Sequence, residues 1–178
     1  MSERGSTAID LWVQAQERFR RRDYAATAEL LARLVGEHHG GEVDMAQVRL
    51  LRGVALLRLG RPAEGVPELR LAVELDPANA RAHQKLGAGV ARLGLDEEAL
   101  PHLERSAAMA PDNAEYQWRV GEQYRRLGRR TEAKAAFERS LALDPRFDRA
   151  NEGLAALVRP KGSWLTLLVR TLKPRRRG

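Results

Sequence analysis

Arg20, Arg58, Arg92 and Arg126 recur along the chain at a nearly constant interval. A guanidinium is a rigid fork that holds a carboxylate through paired hydrogen bonds, so such a column could grip acidic side chains or a carboxyl terminus. The alternative is that each arginine lies near a helix C-terminus and complements its dipole. Other chemistry is scarce. His38 and His39 share a loop, His83 and His102 fall on different segments, and no H-x-x-x-H spacing suits a metal. With no cysteine, a thiolate nucleophile, thiolate metal site or disulfide framework is excluded. The glycines follow helical periods instead of forming a phosphate-binding or dinucleotide loop, and Asp96-Glu97-Glu98 reads as the acidic start of a helix. No catalytic constellation and no cofactor are therefore expected, and the arginines point to binding.

The arginines must be held by a buried framework, and 178 residues, 43% hydrophobic and 31% charged, suffice for one well-packed domain. The net charge of +7 is unevenly placed. Residues 161–178 contribute +6 and leave the preceding body nearly neutral. Nucleic acid is thus not an expected partner, because its binding calls for a basic stripe along the body. The start lacks a basic segment followed by an apolar run, and nothing approaches the ~20 apolar residues of a membrane span. The expected compartment is the cytoplasm, with membrane association left open for the tail.

A period of about 34 residues, the length of a helix-turn-helix repeat, joins Gly60, Gly94 and Gly128. The same period joins Gly53, Gly87 and Gly121, and again Pro77, Pro111 and Pro145. Self-similarity at this length marks stacked units. The first glycines follow apolar-periodic runs and close a helix at positive φ. The second set lies within helices, where glycine costs about 1 kcal/mol against alanine and implies close helix approach. The prolines end each second helix, since each lacks an N–H and biases its predecessor away from helical ψ. Pro67 and Pro101, near the starts of second helices, are expected to be tolerated.

These residues, with Leu86-Gly87, Val120-Gly121, Tyr124, Ala99, Ala133, Leu69, Leu103 and Phe137, resemble the tetratricopeptide repeat (TPR) family. The pattern departs at Arg49, His83 and Gln117, where the family carries an aromatic, and at Gly65, where it carries alanine. The resemblance implies an all-α, right-handed α-solenoid of about four repeats with a C-terminal capping helix. The expected divisions are 1–7, an N-terminal tail; 8–39, a degenerate first repeat around Asp23-Tyr24; 40–45, a loop; repeats 46–79, 80–113 and 114–147; 148–160, a capping helix; and 161–178, a basic amphipathic tail.

It further implies that the first helices line a concave groove which holds a peptide or helix of another protein. Placed there are Trp12, Phe19, Arg20, Leu50, Val54, Leu57, Arg58, Arg81, Gln84, Arg92, Trp118, Glu122, Arg125 and Arg126. Such a surface suits an apolar partner with acidic character. Arg81 and Lys85 also match the last pair of a set that clamps chaperone tails in some members. Trp12, Gln16 and Leu51 replace the rest, so that mode is not expected.

The tail KGSWLTLLVRTLKPRRRG forms an amphipathic pattern. At 100° per residue Trp164, Leu165, Leu167, Leu168, Val169 and Leu172 share one face, opposite Thr166, Arg170 and Lys173. It could fold back on Leu154, Leu157 and Val158, meet a partner protein, or lie on an anionic membrane with Arg175, Arg176 and Arg177 at the headgroups. A peripheral membrane adaptor is therefore the alternative function.

Overall fold

The computed structural model describes residues 7–37 and 43–158. Among the described residues it is all-α, with nine helices: α1 (Ala8–Arg20), α2 (Tyr24–Gly36), α3 (Met45–Arg58), α4 (Pro62–Leu75), α5 (Ala80–Arg92), α6 (Asp96–Met109), α7 (Ala114–Arg126), α8 (Arg130–Leu143) and α9 (Asp148–Val158). Each packs on its neighbours in chain order, α1 on α2 through to α8 on α9. The core is accordingly a line of small clusters between helix pairs, the form of a solenoid.

The turns inside each unit share one geometry. Gly60, Gly94 and Gly128 have φ of 75°, 80° and 77°. The following N–H of Arg61, Leu95 and Arg129 reaches back to the carbonyl of Leu56, Val90 and Tyr124, which closes the helix as a Schellman turn. The first unit has Arg22 in that place, at φ 61°, with Asp23 N–H on the Arg18 carbonyl. A side chain with a Cβ is strained in this region. Arg22→Gly is expected to raise stability by about 1 kcal/mol, read as a higher denaturation midpoint.

Between units, one short stretch does two jobs. Pro77 and Pro111 follow the ends of α4 and α6, and two residues on Asn79 and Asn113 cap α5 and α7 by accepting from Ala82 N at 3.0 Å and Tyr116 N at 3.1 Å. Asp23 and Asp44 cap α2 and α3 in the same way. Pro67 and Pro101 lie inside α4 and α6 without ending them.

The helix glycines mark closest approach. A Cβ on Gly53, Gly87 or Gly121 would stand 2.6–2.7 Å from Leu69, Leu103 or Phe137 of the following helix. Gly65 is also crowded, with the Gly53 carbonyl 2.9 Å from where its Cβ would be.

The family's missing aromatic is replaced by a different polar pair in each unit, always between the two helices. Arg49 Nη1 donates to Glu68 at 2.9 Å, and Arg52 pairs with the other oxygen of the same carboxylate. His83 Nε2 lies 3.2 Å from the Pro77 carbonyl, which can only accept. In the neutral ring His83 Nδ1 is therefore unprotonated, and His102 Nδ1 donates to it across 3.5 Å. Burial, helped by the His83 ring and Arg70, holds His102 below its ordinary pKa, with Glu98 opposing. In the fourth unit Arg139 Nε donates to Gln117 Oε1 at 3.2 Å.

Candidate protein-interaction groove

The residues placed on the groove from sequence separate into two surface clefts and a charged centre. Trp12, Phe19 and Arg20 of α1, Leu50 and Val54 of α3 and Arg81 of α5, with Gln16, Gln47 and Leu51, enclose a cavity of about 230 Å³. Its two charged side chains are both cationic. Leu50 and Val54 are buried at its floor, while the walls are aromatic and amide side chains.

At the other end Trp118, Glu122 and Arg125 of α7 face Arg149, Glu152, Gly153 and Ala156 of α9 across a cleft of about 500 Å³. Trp118 is fixed there. Arg119 and Arg149 each stack a guanidinium 5.2 Å from its ring, and Phe147 packs edge-on at 6.0 Å. Arg125 is committed to Glu122 through two hydrogen bonds of 3.0 and 2.8 Å. Sequence reasoning treated α9 as a cap and missed Arg149 and Glu152. The available signal was that Asp148 falls one repeat period after Ala114, so α9 is in register with the other first helices.

Between the clefts lies Lys85. Burial, then Arg119, Arg81 and Arg58, push its ammonium down to about 8, with Glu115 alone in opposition. Burial works against ionised Glu115, but hydrogen bonds from Arg119, at 2.6 and 3.1 Å, keep its carboxyl below the usual range. Arg58, Arg81 and Lys85 form no ion pair among the described residues.

Four expected contact residues are buried, Leu50 and Val54 at 3% and 5% beneath the first cleft and two more outside it. Leu57 and Gln84 are 6% and 1% exposed, because α3 and α5 pack closely enough to cover them. Leu57 fills the space above Gly65 and Gly89, while the Gln84 amide nitrogen is buried without a hydrogen-bond partner.

All four arginines of the column lie in the last turn of their own helices, and two of them also reach a neighbouring one. Arg92 Nη1 donates to the Leu57 carbonyl at 2.6 Å, and Arg126 Nη2 to the Ala91 carbonyl at 2.9 Å. Each satisfies the C-terminus of the preceding unit's first helix, so it complements a neighbour's dipole as well as its own. Arg126 also pairs with Asp96 at 2.6 Å and Arg20 with Glu17 at 3.1 Å, while among the described residues Arg58 alone of the four has no such bond.

His38 and His39 lie outside the described residues, as do Trp164, Leu165, Leu168, Arg170, Leu172, Lys173, Arg175, Arg176 and Arg177. Among the described residues no helix is long and apolar enough to cross a membrane.

The period and the paired helices packed in chain order define a helix-turn-helix solenoid. Tetratricopeptide repeat family models match residues 13–80 and 114–147. The chain belongs to the tetratricopeptide repeat family, whose fold is a scaffold for protein interaction. Among solved structures it is similar to YrrB, a TPR protein with an unusual peptide-binding site, at TM-score 0.74 and 20% identity over 83% of this chain and 74% of that one. A double mutant of MamA gives TM-score 0.77 and 22% identity over 86% and 84%. A tetratricopeptide repeat protein from Parabacteroides merdae gives 0.75 and 20% over 86% of this chain and 59% of its own. No curated protein matches it in sequence.

Proposed function

We propose that the concave face binds a peptide or helix of a partner protein that carries both apolar and acidic side chains. The observation that carries this reading is the cationic centre: Arg58, Arg81 and Lys85 stand together, without an ion-pair partner among the described residues, between two aromatic clefts. Holding like charges close together is unfavourable in the free protein, and an arriving carboxylate relieves it. The aromatic residues supply the apolar contact that dominates interface energy. The peptide-binding site of YrrB offers a parallel on the same fold.

Lys85 gives the proposal a signature in pH. Its value is about 8 in the free protein, and a bound carboxylate raises it. Binding therefore takes up protons near pH 8 and weakens as the pH rises from neutrality through that value. The probe is a synthetic helix with leucine on one face and glutamate on the other, titrated by calorimetry in buffers of different ionisation enthalpy. Arg81→Glu with Lys85→Gln is expected to weaken binding at least ~10-fold and abolish proton uptake. Unchanged affinity in a folded double variant would place the partner elsewhere.

A further inference from the structure

The repeat itself sets Lys85 among other cations. Arg81 and Lys85 lie one turn apart on α5, and one repeat period later Glu115 and Arg119 take the same two places on α7. Gln47 and Leu51 hold these places on α3, so that neighbour offers no carboxylate there; its last turn brings Arg58 instead. Glu115, the acid that opposes these charges, is already held by Arg119 through hydrogen bonds of 2.6 and 3.1 Å.

The surroundings make the Lys85 amine available for chemistry. Lys85 is half-buried, and an ammonium partly out of water beside other cations gives up its proton readily to become a nucleophile. With a pKa of about 8, roughly a tenth of Lys85 carries the neutral amine at pH 7, against fewer than about one in a thousand for an ordinary lysine. Arg58 and Arg81 flank it. Both are exposed and without an ion-pair partner among the described residues, and a guanidinium fork matches phosphoryl oxygens as well as carboxylates.

We propose that Lys85 is an acylation site whose donor is an acyl phosphate, with Arg58 and Arg81 holding the phosphoryl group while Lys85 attacks the carbonyl carbon beside it. The amine lone pair forms a C–N bond with the acyl carbon, and the C–O bond to phosphate breaks. Phosphate leaves with that electron pair and takes the proton that the amine loses. The products are an amide and inorganic phosphate, and no oxidant or reductant enters. The modification cancels one charge of the cationic centre and so weakens its grip on a carboxylate. This last consequence rests on the acidic-ligand reading above, whereas the reaction does not.

The protein supplies its own control. Its lysines are Lys85, Lys134, Lys161 and Lys173, and Lys134 is exposed and pairs with Glu138 at 3.5 Å. The full chain is treated with acetyl phosphate near neutral pH, and the lysine-bearing peptides are followed by mass spectrometry. Lys85 is expected to acetylate at least ~10-fold faster than Lys134, and equal rates overturn the proposal. N-hydroxysuccinimidyl acetate, which carries no phosphate, isolates the role of the arginines. Arg58→Gln with Arg81→Gln is expected to slow Lys85 at least ~5-fold more with acetyl phosphate than with the ester, and equal slowing overturns phosphate capture. The leucine–glutamate helix is then titrated against acetylated and untreated chains. Binding at least ~3-fold weaker to the acetylated chain supports control of the groove, and equal binding overturns it. A helix that binds neither chain removes the acidic-ligand reading and the control with it, while the acetylation rates stand by themselves.

Discussion

Phe137→Ala is expected to lower the unfolding free energy by about 4 kcal/mol and to detach the C-terminal end of the stack first. The ring is fully buried and fits where two other helices lack side chains. A Cβ on Gly121 of α7 or Gly153 of α9 would each stand 2.6 Å from it. Removing the ring empties the junction of three helices, and two glycines cannot refill the space. A solenoid's units hold mainly to their neighbours, so the loss should be local before it is global. Denaturation should show a lower midpoint, and amide exchange should accelerate in α8 and α9 before α3 to α6. Phe137→Leu is the informative companion, since leucine occupies this place as Leu69 and Leu103, and should cost only about 1–1.5 kcal/mol. A similar loss for both variants, or uniform exchange along the chain, would contradict the keystone role.

Glu68→Gln should cost about 3 kcal/mol. Glu68 is 9% exposed and serves both Arg49 and Arg52, whose side chains are only 21% and 24% exposed. Neutralising it leaves two adjacent guanidinium groups half out of water, and Arg52 Nε already lacks a partner. The attraction within a buried ion group is largely offset by desolvation, so removing the whole group has a smaller effect than breaking it. Arg49→Met, Arg52→Met and Glu68→Leu combined should therefore recover most of the loss. Denaturant midpoints decide this: a neutral Glu68→Gln would mean the triad contributes nothing, and a triple variant worse than the single would mean the charges themselves stabilise the unit.

The features legible in the sequence are those fixed by local backbone chemistry. Positive φ at Gly60, Gly94 and Gly128 and helix ends near Pro77, Pro111 and Pro145 follow from glycine's freedom and proline's missing N–H. Close approach at Gly53, Gly87 and Gly121 was legible because the small residue recurs at the repeat's own period. Long-range pairing was not. Glu68, His102 and Arg139 meet Arg49, His83 and Gln117 from 19 to 22 residues away, with different chemistry each time, so the repeat period shared by Arg49, His83 and Gln117, and by Glu68 and His102, did not disclose the pairing. The Arg92 and Arg126 contacts were obscure for a related reason, since the carbonyls they reach belong to the preceding unit. Equal places in the repeat also do not guarantee equal exposure, as Gln84 and Trp118 demonstrate: one is buried and the other forms a cleft wall.

These contacts change which variants can probe the groove. Reversing the charge at Arg92 would remove the cap from α3 and set a negative charge at its C-terminus, so lost binding could not be separated from lost structure. Arg81 and Lys85 carry no such bonds among the described residues and are the appropriate positions. The most direct measurement is a fluorescence titration of the full chain with Trp164→Phe, following Trp12 and Trp118, with the leucine–glutamate helix and with its glutamine counterpart. Saturable binding of the glutamate form, at least tenfold tighter than the glutamine form and reduced by Arg81→Glu with Lys85→Gln, is the predicted result. Equal binding of the two peptides, or glutamate-peptide binding indifferent to those substitutions, would contradict an acidic ligand in the concave groove.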